Sequence, residues 1–88
     1  MNNLNPSQSS LAAPIHHTPV QRPLLTPKEQ EVLDWCTRGK TSPEIAIILS
    51  KSETTINFHM ANLRIKFDVT SRHAAVLKAL KLGMTTLP

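Results

Sequence analysis

The sequence holds one cysteine, Cys36, so no disulfide can form within the chain, as suits a reducing compartment. No apolar run approaches the roughly 20 residues that cross a bilayer. The opening MNNLNPSQSSLAAP has neither the basic start nor the apolar centre of a secretory signal. A cytoplasmic protein with no membrane partner is the expectation. Constellations that carry chemistry are missing as well. There is no metal-ligand cluster, no glycine-rich phosphate loop and no nucleophile paired with a base. Neither an enzyme nor a cofactor or metal site is expected. No segment alternates apolar and polar residues over a useful length, so no sheet is predicted.

What is present fits one small domain in 88 residues. The net charge is +4, and its distribution is uneven. Between Leu25 and Ser50 acidic residues outnumber basic ones by one. From Lys51 onward Lys51, Arg64, Lys66, Arg72, Lys78 and Lys81 face only Glu53 and Asp68, an electrostatic footprint suited to nucleic acid. Residues 1–24 are rich in Asn, Ser, Gln and Pro and lack an apolar period, and read as a disordered arm. His16 and His17 in that arm lack the supporting shell of a metal site.

Residues 25–88 read as an all-α domain of four short helices. Thr26-Pro27-Lys28-Glu29 is a helix start: Thr26 can cap, Pro27 suits the first helical position, and Glu29 can reach back to the cap amide. The first helix carries Val32, Leu33 and Cys36 on one face and stops near Gly39. Thr41-Ser42-Pro43-Glu44 repeats the start signal for a second helix that buries Ile45, Ala46, Ile48 and Leu49. Ser52 caps a third helix running to about Phe67. Ser71 caps a fourth that ends at Gly83.

Only Ser50 to Ser52 separate the second and third helices. So short a connection makes them cross steeply, with Ala46 at the close approach and Ile45, Leu49 and Ile56 as apolar locks. This is a helix-turn-helix at about residues 42–61, with Ser50 where such turns often hold glycine. On the third helix Ile56, Met60, Leu63 and Phe67 form the core stripe, with His59 at its edge. The opposite face carries Thr54, Asn57, Phe58, Ala61 and Ile65. An exposed Phe58 calls for an explanation: either it packs on a neighbour, or this face enters a DNA major groove. In the groove Asn57 can pair with an adenine edge, while Phe58 and Ala61 touch thymine methyls. Asn57, Phe58, Ala61 and Thr54 are the candidate base contacts. Lys40, Thr41, Lys51, Thr55, Arg64 and Lys66 are the candidate phosphate contacts.

The fourth helix has two stripes. Ala75, Val76, Ala79 and Leu82 face the core. His73, Leu77, Leu80 and Met84 follow the spacing of a coiled-coil seam, which predicts a twofold homodimer contact unless the N-terminal arm covers it. Trp35 lies off the main stripe of the first helix and is expected to be half-buried. A Glu29–Arg72 ion pair is expected from their shared core-side positions.

The run from Leu25 to Met84 resembles the LuxR-type helix-turn-helix domain of bacterial transcription regulators. The resemblance is carried by Leu25-Thr26, Glu29, Leu33, Gly39, Glu44-Ile45-Ala46, Leu49-Ser50, Thr55-Ile56, His59, Asn62, Lys66, Val69, Arg72, Ala75-Val76 and Gly83. Trp35-Cys36, Asn57-Phe58-His59-Met60 and Lys66-Phe67 are similar to the quorum-sensing branch. The resemblance implies that the third helix recognises DNA, that the fourth makes the dimer, and that the site is pseudo-palindromic. It implies base contacts from Asn57, Phe58 and Ala61. Residues 1–24 are too few for the signal-binding domain of quorum-sensing members, so no small-molecule ligand is expected. Nor is an aspartate-bearing receiver domain expected. Ala61 stands where many relatives carry lysine or arginine, a departure that bears on affinity and discrimination.

Two function classes follow. One is a sequence-specific transcription regulator that binds double-stranded DNA as a dimer. The other is a protein-interaction module that captures a full-length LuxR-type regulator into mixed dimers. A sigma-factor region also uses this motif but fits the fourth helix less well. RNA polymerase is a candidate partner of an activator, though no surface for it is legible in the sequence.

Overall fold

Residues 22–88 are described by a computed structural model. Most of the arm assigned to residues 1–24, with His16 and His17, lies outside the described residues. The elements are α1 (Pro27–Thr37), α2 (Ser42–Leu49), α3 (Glu53–Phe67) and α4 (Arg72–Lys81), with no strand among the described residues.

Each helix begins where the sequence supplies a cap. Thr26 Oγ1 accepts the Glu29 N–H at 3.1 Å, and Glu29 Oε1 accepts the Thr26 N–H at 2.9 Å. Thr41 and Glu44 repeat this reciprocal box at α2. Ser52 accepts from Thr55 at α3, and Ser71 from Ala74 at α4. Each such cap contributes about 1 kcal/mol by satisfying an orphan amide. Between α1 and α2, Gly39 takes φ +82, and a Cβ added there would meet no atom within 4 Å, so backbone conformation rather than crowding favours glycine. Ser50 closes α2 in the left-handed region at φ 56, and Asp68 does the same after α3 at φ 56. The Lys51 N–H then reaches the Ala46 carbonyl at 2.9 Å, and the Val69 N–H the Arg64 carbonyl at 2.9 Å, the closing bonds of a left-handed helix end.

The long α3 lies at the centre and packs on α1, α2 and α4, while α1 also packs on α4. Its stripe of Ile56, Met60, Leu63 and Phe67 is buried against Val32, Leu33 and Cys36 of α1 and Ile45 and Ala46 of α2. Ala75 and Ala79 are fully buried; their small side chains let α4 sit close against α3 and α1. Leu25, Trp35, Leu49, Val69, Val76 and Leu82 are partly buried around this core. The Arg38 guanidinium lies 5.5 Å from the Trp35 ring centroid.

Three expectations are corrected. Ile48 is 41% exposed and Ile47 81% exposed. The core-facing stripe of α2 is Ile45, Ala46 and Leu49, and Ile48 stands roughly 110° from its middle at helical spacing. Met84 does not extend a seam on α4. The helix ends at Lys81, Gly83 turns the chain at φ 70, and Met84 packs partly buried against the core. The tail then runs back over α1. Gln30 donates to the Met84 carbonyl at 2.8 Å, and buried Thr85 donates to Asp34 at 2.9 Å and meets the Thr37 hydroxyl at 3.1 Å. The third correction is the partner of Glu29. Lys66 Nζ, not Arg72, lies 2.7 Å from its carboxylate. Arg72 meets α1 at Cys36, seven residues beyond Glu29 and so about 10 Å further along the helix.

Candidate nucleic-acid interface

The three-residue connection Ser50-Lys51-Ser52 sets α2 and α3 as a helix-turn-helix, with Ile45 and Ile56 fully buried where they lock together. Because the core stripe of α3 faces inward, its other side is offered to solvent. Thr54 and Asn57 are exposed there, Phe58 is 62% exposed, and Ala61 is half-buried. The only aromatic neighbour of the Phe58 ring among the described residues is His59, edge-on at 5.7 Å. Ile65 lies on the same side, 75% exposed; the sequence places it on this face without making it a contact.

The candidate phosphate contacts divide. Lys51 is exposed in the turn and Thr41 at the start of α2; Lys40, Thr55 and, in the last turn of α3, Arg64 are half-buried. The Thr41 hydroxyl is engaged in its capping box and the Thr55 hydroxyl lies 2.9 Å from that of Ser52. Lys66 is drawn away from this set. Its ammonium donates to Glu29 at 2.7 Å and to the Leu24 carbonyl at 2.8 Å, because the last turn of α3 meets the first turn of α1. Burial by itself pushes the Glu29 carboxyl up, but the hydrogen bonds from Lys66 and Thr26 and the lysine charge outweigh it and hold the carboxyl below its usual range.

Arg72 braces the α1–α2 connection. Its guanidinium donates to the Lys40 carbonyl at 2.8 Å, to the Ser42 hydroxyl and to Cys36 Sγ at 3.3 Å. It thereby ties the start of α4 to the α1–α2 connection from which Lys40 and Thr41 project. Lys78 was legible only as a basic residue; in the fold it donates to the Phe67 carbonyl at 2.7 Å and caps the end of α3. Neither pairing is visible in the helical period, since each joins residues brought together by helix packing.

On α4, His73 is exposed, Leu77 is 47% exposed and Leu80 is half-buried. They border an open groove of about 540 Å³, with Val76, Lys40 and Leu87. Among the described residues there is no group of His, Cys, Asp and Glu fit to hold a metal ion. No helix among them is long and apolar enough to cross a membrane.

A three-residue turn between α2 and α3, an α3 with one buried and one exposed face, and a fourth helix packed behind it have the form of a helix-turn-helix domain. Residues 23–79 match the family model of bacterial regulatory proteins, luxR family. The chain belongs to that family and is the DNA-binding domain of a LuxR-family transcription regulator; the family is one of regulators, not enzymes. It is 43% identical over 81 residues to the quorum sensing-dependent transcriptional regulator RpaR of Rhodopseudomonas palustris, covering 92% of this chain and 33% of that protein. It is 48% identical over 60 residues to the quorum-sensing regulator RhlR of Pseudomonas aeruginosa, covering 68% of this chain and 25% of that one. The chain thus spans about a quarter to a third of the curated relatives it matches. Among solved structures, the transcription factor GerE superposes with a TM-score of 0.70 at 36% identity, over 76% of this chain and 100% of that one. A Vibrio cholera VqmA–ligand–DNA complex matches with a TM-score of 0.67 at 31% identity, over 76% of this chain and 29% of that one.

Proposed function

We propose that this domain binds a pseudo-palindromic operator as a homodimer and regulates transcription from it, in the cytoplasm. In this reading α3 enters the major groove, with Asn57, Phe58, Ala61 and Thr54 at base edges. Lys40, Thr41, Lys51, Thr55 and Arg64 hold phosphates, and His73, Leu77 and Leu80 form the twofold contact. The observation that carries it is the exposure of Phe58, 62%, on a helix whose opposite stripe is fully buried. Exposing a ring this large in water is unfavourable, and a groove that accepts it offsets that cost.

The test is binding of the purified chain to a LuxR-type palindrome and to a scrambled duplex at several salt concentrations. Palindrome-selective binding with a steep salt slope is the expected result. Asn57→Ala with Phe58→Ala should remove the selectivity and leave the helical signal intact. A second reading is favoured by the apolar groove beside Leu77 and Leu80: capture of a full-length LuxR-type regulator in a mixed dimer. Weak and equal binding to both duplexes supports that reading instead.

A further inference from the structure

An uncharged stripe runs along the solvent-facing side of α3. Thr54, Phe58, Ala61 and Ile65 follow one another at the i, i+4, i+7, i+11 spacing. They fall within an arc of about 60° and span roughly 16 Å of helix. Phe58 is 62% and Ile65 75% exposed, and Thr54 is exposed beside them. No ammonium, guanidinium or carboxylate stands in that stripe. The neighbouring cations of the same helix lie off it. Arg64 is roughly 90° round the helix from the middle of the stripe. Lys66 lies on the other side, its ammonium held by Glu29 at 2.7 Å and by the Leu24 carbonyl at 2.8 Å.

These positions restrict what the face can read. Guanine is recognised in the major groove chiefly by two N–H donors of arginine or lysine directed at N7 and O6. The stripe offers none. It offers methyl groups, a methylene-bearing chain and an aromatic ring, whose complement in the major groove is the 5-methyl group of a pyrimidine. Asn57, at the edge of the stripe, carries the amide that suits adenine, the partner of thymine. Polar and apolar members of the face therefore converge on A·T pairs. Lys51 at one end and Arg64 alongside suit a polyanionic occupant rather than a protein surface.

Resting on the reading of α3 as the recognition helix, we propose that this stripe reads DNA through pyrimidine 5-methyl groups. Binding then depends on thymine methyls, and 5-methylcytosine is bound better than cytosine at the same positions. Ile65 is assigned to the specificity-determining set with Phe58 and Ala61.

The purified chain is first used to enrich duplexes from a random-sequence pool. The enriched duplex is then resynthesised with thymine, and with uracil in its place. In a further pair, one T·A pair of each half-site is replaced by C·G, with and without a cytosine 5-methyl group. Each methyl removed should weaken binding roughly fourfold, the worth of one buried methylene-sized group. The methylated C·G duplex should regain that factor over the unmethylated one. Phe58→Ala and Ile65→Ala alter exposed side chains and should fold; both should reduce the difference between thymine and uracil duplexes. Sequence-selective binding that treats thymine and uracil alike overturns the proposal and leaves the DNA-reading function standing. Failure of any sequence to enrich overturns both.

Discussion

Lys66 Nζ and Glu29 Oε1 meet at 2.7 Å and join the end of α3 to the beginning of α1. The same carboxylate oxygen accepts the Thr26 N–H, so one buried atom serves a helix cap and an ion pair at once. The long α3 is thereby anchored at the end remote from its N-terminal cap. Lysine fits here because its Nζ has three donors, two of which go to Glu29 and the Leu24 carbonyl.

Replacing this lysine should unsettle the anchor. Lys66→Met leaves Glu29, 3% exposed, without its charged partner, and should cost about 2 kcal/mol in urea unfolding at neutral pH. The figure is set below that of a fully buried pair because the lysine side chain is 33% exposed.

The same pair predicts an acid dependence. The Glu29 carboxyl is held below its usual range in the fold, where hydrogen bonds from Lys66 and Thr26 outweigh the opposing effect of burial. Its contribution is therefore fully present above the ordinary glutamate value and is lost as pH falls through the lower folded value. Urea midpoints measured from pH 7 downward should fall in that acid window. Lys66→Met should flatten the dependence.

Arg72 should prove harder to replace than its half-buried position implies. Lysine at this position has one point of charge where the guanidinium reaches the Lys40 carbonyl, Ser42 and Cys36. Arg72→Lys is expected to cost about 1–2 kcal/mol in stability. It should also weaken DNA binding, read by fluorescence anisotropy below the unfolding range, because the Lys40–Thr41 segment loses its support.

Leu77 is 47% exposed, so Leu77→Glu should leave the fold intact by circular dichroism. If α4 joins two copies, sedimentation will show a loss of dimer. Affinity for a two-half-site duplex should fall about a hundredfold, because the second half-site is no longer tethered. Binding to a single half-site should hardly change.

Cys36 should be inert in the folded protein. Burial pushes its thiol up against the opposing charge of Arg72, and it is 7% exposed. Alkylation by iodoacetamide at pH 8 should be slow in buffer and rise with urea along the unfolding curve. Fast alkylation without urea would contradict this packing.

The start of every helix was legible in the sequence, and the reason is local. A cap and the amides it serves lie within three residues, so Thr26, Thr41, Ser52 and Ser71 announce α1 to α4 without reference to the rest of the chain. The core stripe of α3 was legible for a similar reason, since Ile56, Met60, Leu63 and Phe67 share a face at helical period whatever they pack against. The exposed face of that helix, with Asn57 and Phe58, followed as its complement. Pairings across helices were not legible in this way. Glu29 and Arg72 both point inward, and periodicity alone cannot tell which end of α1 meets α4. The fold assigns Lys66 to Glu29 and leaves Arg72 to the α1–α2 connection.

The sequence by itself determined where the helices begin, which faces are apolar, and that the second and third must cross steeply. Tertiary structure alone decided that Met84 leaves the line of α4 to follow a tail fastened at Thr85, and that Lys66 is spent on Glu29. The first set depends on contacts within one or two helical turns, the second on where separate helices come to rest against one another.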